Sequence, residues 1–161
     1  MYFVQRGIFQ GLAASGDDRS LDIMASYLGD TQKRPTLRLR AASGLWAVGG
    51  NRHRYSEAAR QRAVTALCNA IEHDHWDPVR STSALALMGL GEKRAIGVLE
   101  RVAAHETESH AQRNMRVAVH ALRSEDTSDE QFKQLRKDLD EVHEENRKLK
   151  EQLGAIEARL K

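Results

Sequence analysis

From Phe132 to Leu160 the chain carries a heptad repeat without a slip, and no other feature limits its fold so tightly. The repeat runs through Phe132, Leu135, Leu139, Val142, Asn146, Leu149, Leu153, Ile156 and Leu160, in steps that alternate three and four. A mean spacing of about 3.5 residues is the period of a left-handed supercoil rather than of a lone amphipathic helix. Phe132, Leu139, Asn146, Leu153 and Leu160 take the a positions; Leu135, Val142, Leu149 and Ile156 take d. A single Asn in an a layer favours a parallel two-stranded coil, where its amide meets its twin. The g-to-e′ pairs of that dimer are Asp138–His143, Glu145–Lys150 and Gln152–Glu157, and none repels. The segment therefore predicts a parallel homodimer. The alternative is a helix folded back as a cap, which calls for a broader apolar stripe than two positions per heptad.

Ser128 with Gln131 three residues on fits a capping box, so the dimerisation helix is expected over 129–161 after a polar, acidic linker at 124–128. Such a helix spans about 45 Å. Gly154, at an outward position, costs it about 1 kcal/mol.

The preceding part, residues 1–123, repeats internally. Aligned on Gly16, Gly49, Gly91 and Arg123, the copies stand 33, 42 and 32 residues apart. Residues 79–91 (VRSTSALALMGLG) match 37–49 (LRLRAASGLWAVG). The first copy, 4–16, keeps Gly7, Gly11 and Leu12; the fourth, 111–123, keeps Ala118, Val119 and Leu122 but loses the glycine. A second helical pattern follows the first and third anchors. After the second anchor it is delayed to 56–72, with Ala59, Ala63, Leu67, Ala70 and Ile71 on one stripe, and the loop 50–55 takes up the extra length. The unit is helix, turn, helix. Paired Ala residues let helices approach, Leu residues fill the groove between them, and glycines are expected to end helices in the left-handed conformation. Asp77 before Pro78, and Thr36 after Pro35, are expected as N-caps.

The pattern VRxxxALAxxGLGxxRAI resembles a HEAT repeat of the short bacterial kind also found in phycobilin-lyase-like proteins. The resemblance covers about residues 2–123. It implies a short right-handed α-solenoid of three to four repeats, the first incomplete, with a concave face that receives a protein or peptide. It also implies that Arg38 and Arg80 stitch adjacent repeats; Gln5 and Gln112 hold that place in the outer copies. Because the first copy starts without a polar cap, at Tyr2, Phe3, Ile8 and Phe9, Met1 is not expected to be the natural start. HEAT repeats followed by a heptad helix (here KQLRKDLDEVHEENRKLKEQL) are similar to the tails of some bacterial zinc aminopeptidases of the aminopeptidase N type. That resemblance implies a C-terminal accessory domain that shapes access to a pocket contributed upstream. The zinc-binding motif of that family is absent, so no catalytic residue carries over.

Charge is uneven. Residues 1–123 hold 17 Lys/Arg against 12 Asp/Glu, and residues 124–161 hold 8 against 11. Within 31–62, eight basic residues face only Glu57. Lys33, Arg34, Arg40, Arg52, Arg54, Arg60 and Arg62 could thus follow a phosphate backbone. Sparse aromatics, and Glu72, Asp74 and Asp77 nearby as counter-charges, rank nucleic acid behind protein as the partner.

No catalytic constellation stands out. In His143-Glu144-Glu145-Asn146-Arg147 an Arg holds the place of the second zinc ligand. His73 and His75 are two apart, and such residues do not share a helix face. His105 and His110 read as parts of a polar inter-helix loop, and Cys68 as core. Trp46 reads as core or as a concave-face contact, and Trp76 as a staple beside a turn. No run of 18 apolar residues and no signal-peptide pattern is present. The expectation is an all-α, cytoplasmic, non-catalytic scaffold: a short HEAT-like α-solenoid followed by a long coiled-coil helix. Neither metal nor cofactor is expected.

Overall fold

The computed structural model describes residues 2–124, with side chains from residue 7 on, and residues 136, 137, 141, 144, 147 and 148. The described chain is helical, with no strand. The helices are α1 (Tyr2–Ser15), α2 (Asp18–Gly29), α3 (Pro35–Val48), α4 (Glu57–His73), α5 (Asp77–Leu90), α6 (Ile96–His105) and α7 (109–124). Two 3₁₀ stretches, Gly49–Arg54 and Lys93–Ala95, precede α4 and α6. Contacts divide the chain into Met1–Arg123 and Ser124–Lys161.

In the first unit helices pack two apart. α1 lies on α3 and α3 on α5, while α2 lies on α4 and α4 on α6. Sequential pairs α2–α3 and α4–α5 join the two rows. Helices α1, α3 and α5 thus form one layer and α2, α4 and α6 the other. The sequence explains the closeness. Ala41, Ala42, Ala59, Ala63, Ala84, Ala86, Ala111 and Ala118 are fully buried between helices, and Leu21, Leu45, Leu67, Leu87, Leu99 and Leu122 fill the spaces they leave.

Turn chemistry follows the sequence in part. Gly16 and Gly91 adopt φ of 71° and 69°. At Gly91 the Glu92 N–H reaches the Leu87 carbonyl at 3.2 Å and the Gly91 N–H the Met88 carbonyl at 3.0 Å, the paired bonds of a Schellman end. Ser56 caps α4, accepting from the Ala59 N–H at 3.2 Å.

Three expectations are corrected. Gly49 is right-handed, φ −49°, and the chain runs on into the 3₁₀ stretch. Glycine is needed there for proximity: a Cβ on Gly49 would lie 2.6 Å from the Gly89 carbonyl oxygen, where α3 crosses α5. Thr36 and Asp77 are not N-caps. Pro35 and Asp77 already open their helices, and the cap positions fall to Arg34 and Trp76 without a side-chain bond. The fixed φ of proline suits the first turn, so α3 starts two residues, and α5 one residue, earlier than the expected side-chain caps would put them.

The longer second repeat has a specific use. Its 3₁₀ stretch carries Arg54 and Tyr55 over the end of α1. The Tyr55 hydroxyl donates to the Ala13 carbonyl at 2.8 Å and accepts from the Gly16 N–H at 3.3 Å, while Arg54 Nη1 donates to the Ala14 carbonyl at 3.1 Å. Orphan carbonyls at that helix end are thereby satisfied.

Candidate functional site

Arg38 and Arg80 occupy equivalent places, eleven residues before Gly49 and Gly91, and each makes the same pair of connections. Arg38 Nη1 donates backwards to the Lys33 carbonyl at 2.6 Å, ahead of its own helix. Its Nε and Nη2 reach forward to both carboxylate oxygens of Asp74 at 2.7 and 2.9 Å. Arg80 Nη1 donates to the Asp74 carbonyl at 2.9 Å, and its Nε and Nη2 grip Glu106 at 2.7 and 2.8 Å. Asp74 and Glu106 are the C-cap residues of α4 and α6. Each also accepts the amide two residues on: Trp76 at 2.9 Å and Glu108 at 3.1 Å. Asp30, the C-cap of α2, accepts from the Gln32 amide in the same way at 2.9 Å. In the last copy Gln112 keeps the backward half only, donating to the Ala103 and Glu106 carbonyls at 2.9 and 3.3 Å.

The first rung is nearly dry, with Arg38 6 % and Asp74 8 % exposed. Burial alone would raise the Asp74 carboxyl; the bonds from Arg38 and from the Trp76 amide outweigh it and hold the group below its ordinary 3.8. Glu106 is held below its ordinary 4.5 chiefly by Arg80.

Trp46 is 47 % exposed, so it belongs to the surface rather than the core. It stands beside a groove of about 560 Å³ between α1 and α3, lined by Phe9, Gln10, Arg40, Ser43, Gly44, Trp46 and Ala47. The indole rests against α5 at Gly89, where a Cβ would come within 3.1 Å of Cδ1. Phe9, nearly buried, closes the groove from α1 and meets Tyr27 edge-on at 5.8 Å between centroids.

The basic stretch is distributed over both layers and largely committed. Arg62 binds Asp22 on α2 at 2.8 Å and Arg60 binds Glu57 at 2.5 Å. Arg54 caps α1, and Lys33 lies 3.7 Å from Asp30 and 5.6 Å from the Tyr27 ring centroid. Arg52 lies in the 3₁₀ stretch and Arg34 at the start of α3. Arg40, half-buried in the groove, makes no ion pair among the described residues.

His73, His75 and His105 line a cleft of about 720 Å³ at the C-terminal ends of α4 and α6 with Arg80, Arg101 and Glu72. The Nδ1 atoms of His73 and His105 lie 3.2 and 3.1 Å from carbonyls of their own helices. Among the described residues no group of three His, Cys, Asp or Glu is placed to hold a metal ion. Cys68 is half-buried, and burial pushes its thiol up, away from the reactive thiolate. His110 is not in a loop: α7 begins at 109, early enough to bury Ala111 and Met115. His110 meets Ser81 on α5, Nδ1 to Oγ at 3.3 Å, and Asn114 Nδ2 donates to the same Oγ at 2.7 Å. The sequence reading missed this cluster. Ser81 is 3 % exposed, and the cluster ties α5 to α7.

Phe132, Leu135, Leu139, Val142, Asn146, Leu149, Leu153, Ile156 and Leu160 lie outside the described residues, as does Ser128 with its capping box. The described residues of the second unit are helical and exposed. Lys137 pairs with Glu141 at 3.7 Å, and Glu144 with Arg147 at 2.7 Å and Lys148 at 3.8 Å. No helix among the described residues is long and apolar enough to cross a membrane. Compared with protein-family models, with curated proteins and with solved structures, the chain matches none.

Proposed function

We propose that this chain is a non-catalytic scaffold. Residues 1–123 form a short α-solenoid of HEAT-like repeats that presents its odd-layer face to a protein or peptide, and residues 129–161 join two copies through a parallel coiled coil. The observation that carries the reading is the recurrent rung of Arg38 and Arg80, made twice with the same atoms at the repeat spacing. A stack joined only between neighbours exposes a long face, which is the common working surface of such arrays. Support for the coil comes from register. Arg136, Lys137, Glu141, Glu144, Arg147 and Lys148, all exposed, fall at e, f, c, f, b and c, none of them a seam position.

Sedimentation of the whole chain tests the proposal. Wild type is expected as a dimer at micromolar concentration, and Asn146→Leu as a mixture of oligomers, because the buried amide that selects two strands is gone. A wild-type monomer at that concentration refutes the coiled coil. The same reading serves a free-standing adaptor or the accessory domain of a larger protein such as a zinc aminopeptidase. A zinc-binding HExxH motif encoded in frame upstream of Met1 would select the second.

A further inference from the structure

Both helices that bound the Trp46 groove are free of acidic residues: α1 reads YFVQRGIFQGLAAS and α3 reads PTLRLRAASGLWAV. Arg38 is spent on Asp74, but Arg40 faces the groove with no carboxylate partner among the described residues. An unpaired guanidinium in a partly desolvated slot favours an anion, above all a carboxylate that accepts two N–H bonds at once. Beside it Trp46, 47 % exposed and set against Gly89 of α5, offers a broad apolar face. Gly44 lets α1 come close to α3, since a Cβ there would lie 2.6 Å from Met24 Sδ and 3.2 Å from Phe9 Cβ, and Gln10 adds an amide to the lining.

We propose that the α1–α3 groove docks an acidic peptide, an aliphatic or aromatic side chain lying on Trp46 and a neighbouring Asp or Glu held by Arg40. The proposal rests on the reading of the chain as an interaction scaffold and names the chemistry of the partner. Nucleic acid fits the groove less well. A phosphate strand needs a row of free cations, whereas Arg38, Arg54, Arg60 and Arg62 are already bound within the fold.

The test is a selection of short random displayed peptides on the full-length chain at about 0.15 M salt, with binders then synthesised and measured by fluorescence anisotropy. The expected binders are rich in Asp and Glu next to an apolar residue, and they weaken by about tenfold or more on Trp46→Ala and on Arg40→Glu. Trp46 is exposed and Arg40 half-buried, and circular dichroism is used to check that each variant is folded. Three results overturn the proposal: no binder, binders without acidic residues, or binding that neither variant weakens. Tighter binding of a mixed-sequence single-stranded oligonucleotide, lost on the same two variants, also overturns it in favour of nucleic acid. Sedimentation separates failure of the groove from failure of the scaffold, since a dimer that captures no peptide leaves the scaffold standing.

Discussion

Arg38 shows how much one side chain can be asked to do. It is removed from water, it ties the approach to its own helix through the Lys33 carbonyl, and it holds the end of α4 through Asp74. Arg38→Ala leaves a buried carboxylate without its counter-ion, and urea unfolding should show a loss of about 3–5 kcal/mol. Arg38→Met combined with Asp74→Leu removes both charges and should recover most of that loss, since an apolar pair avoids the desolvation cost. The acid side of the rungs sets a pH dependence with a definite sign. Asp74 and Glu106 take up protons in the unfolded chain near 3.8 and 4.5, and in the folded chain only below those values. Their contribution is therefore complete above about pH 5 and is lost as pH falls through the folded values. Thermal melts across that range should show a flat upper limb and a fall on the acid side.

Helices and their crossings were legible wherever the signal is local. The small residues of 37–49 and 79–91 and the left-handed ends at Gly16 and Gly91 follow from neighbours in the chain, whereas Ser56, read as the first residue of its helix, is its cap. Gly49 shows the limit. Its sequence context matches Gly91, yet its role depends on Gly89, a residue on another helix that spacing within one segment does not reveal. Gly49→Ala drives a methyl group against a backbone oxygen that cannot turn away, and should cost about 1–3 kcal/mol in denaturant unfolding. Gly50→Ala meets open space and should change stability by less than about 0.5 kcal/mol. The same limit applies to the candidate site. The resemblance implies that Arg38 stitches repeats but not to what, and its partner sits 36 residues away. Asp74 stands in the sequence as one of three counter-charges, with Glu72 and Asp77, and spacing does not say which arginine each one meets. Trp46 was legible as an anomaly in a position of small residues, whereas the acid-free walls around it emerged only once α1 and α3 were side by side.

Within the first unit the main helix contacts are between helices one and two apart, so a break should be felt locally. Arg80→Ala frees Glu106 and the end of α6. Hydrogen exchange should quicken in α6 and α7 well before it does in α1 and α2; uniform quickening along the chain would mean a single cooperative core instead. The rungs also have a direction. Each arginine binds the carbonyl behind it and the acid ahead of it, and among the described residues Gln112 makes only the backward bond. A duplicated pair inserted between α4 and α5 would bring its own arginine and its own capping acid, closing both new seams with parts already in hand. On the proposed solenoid reading, lengthening or shortening the first unit by whole pairs calls for no new invention at the joints.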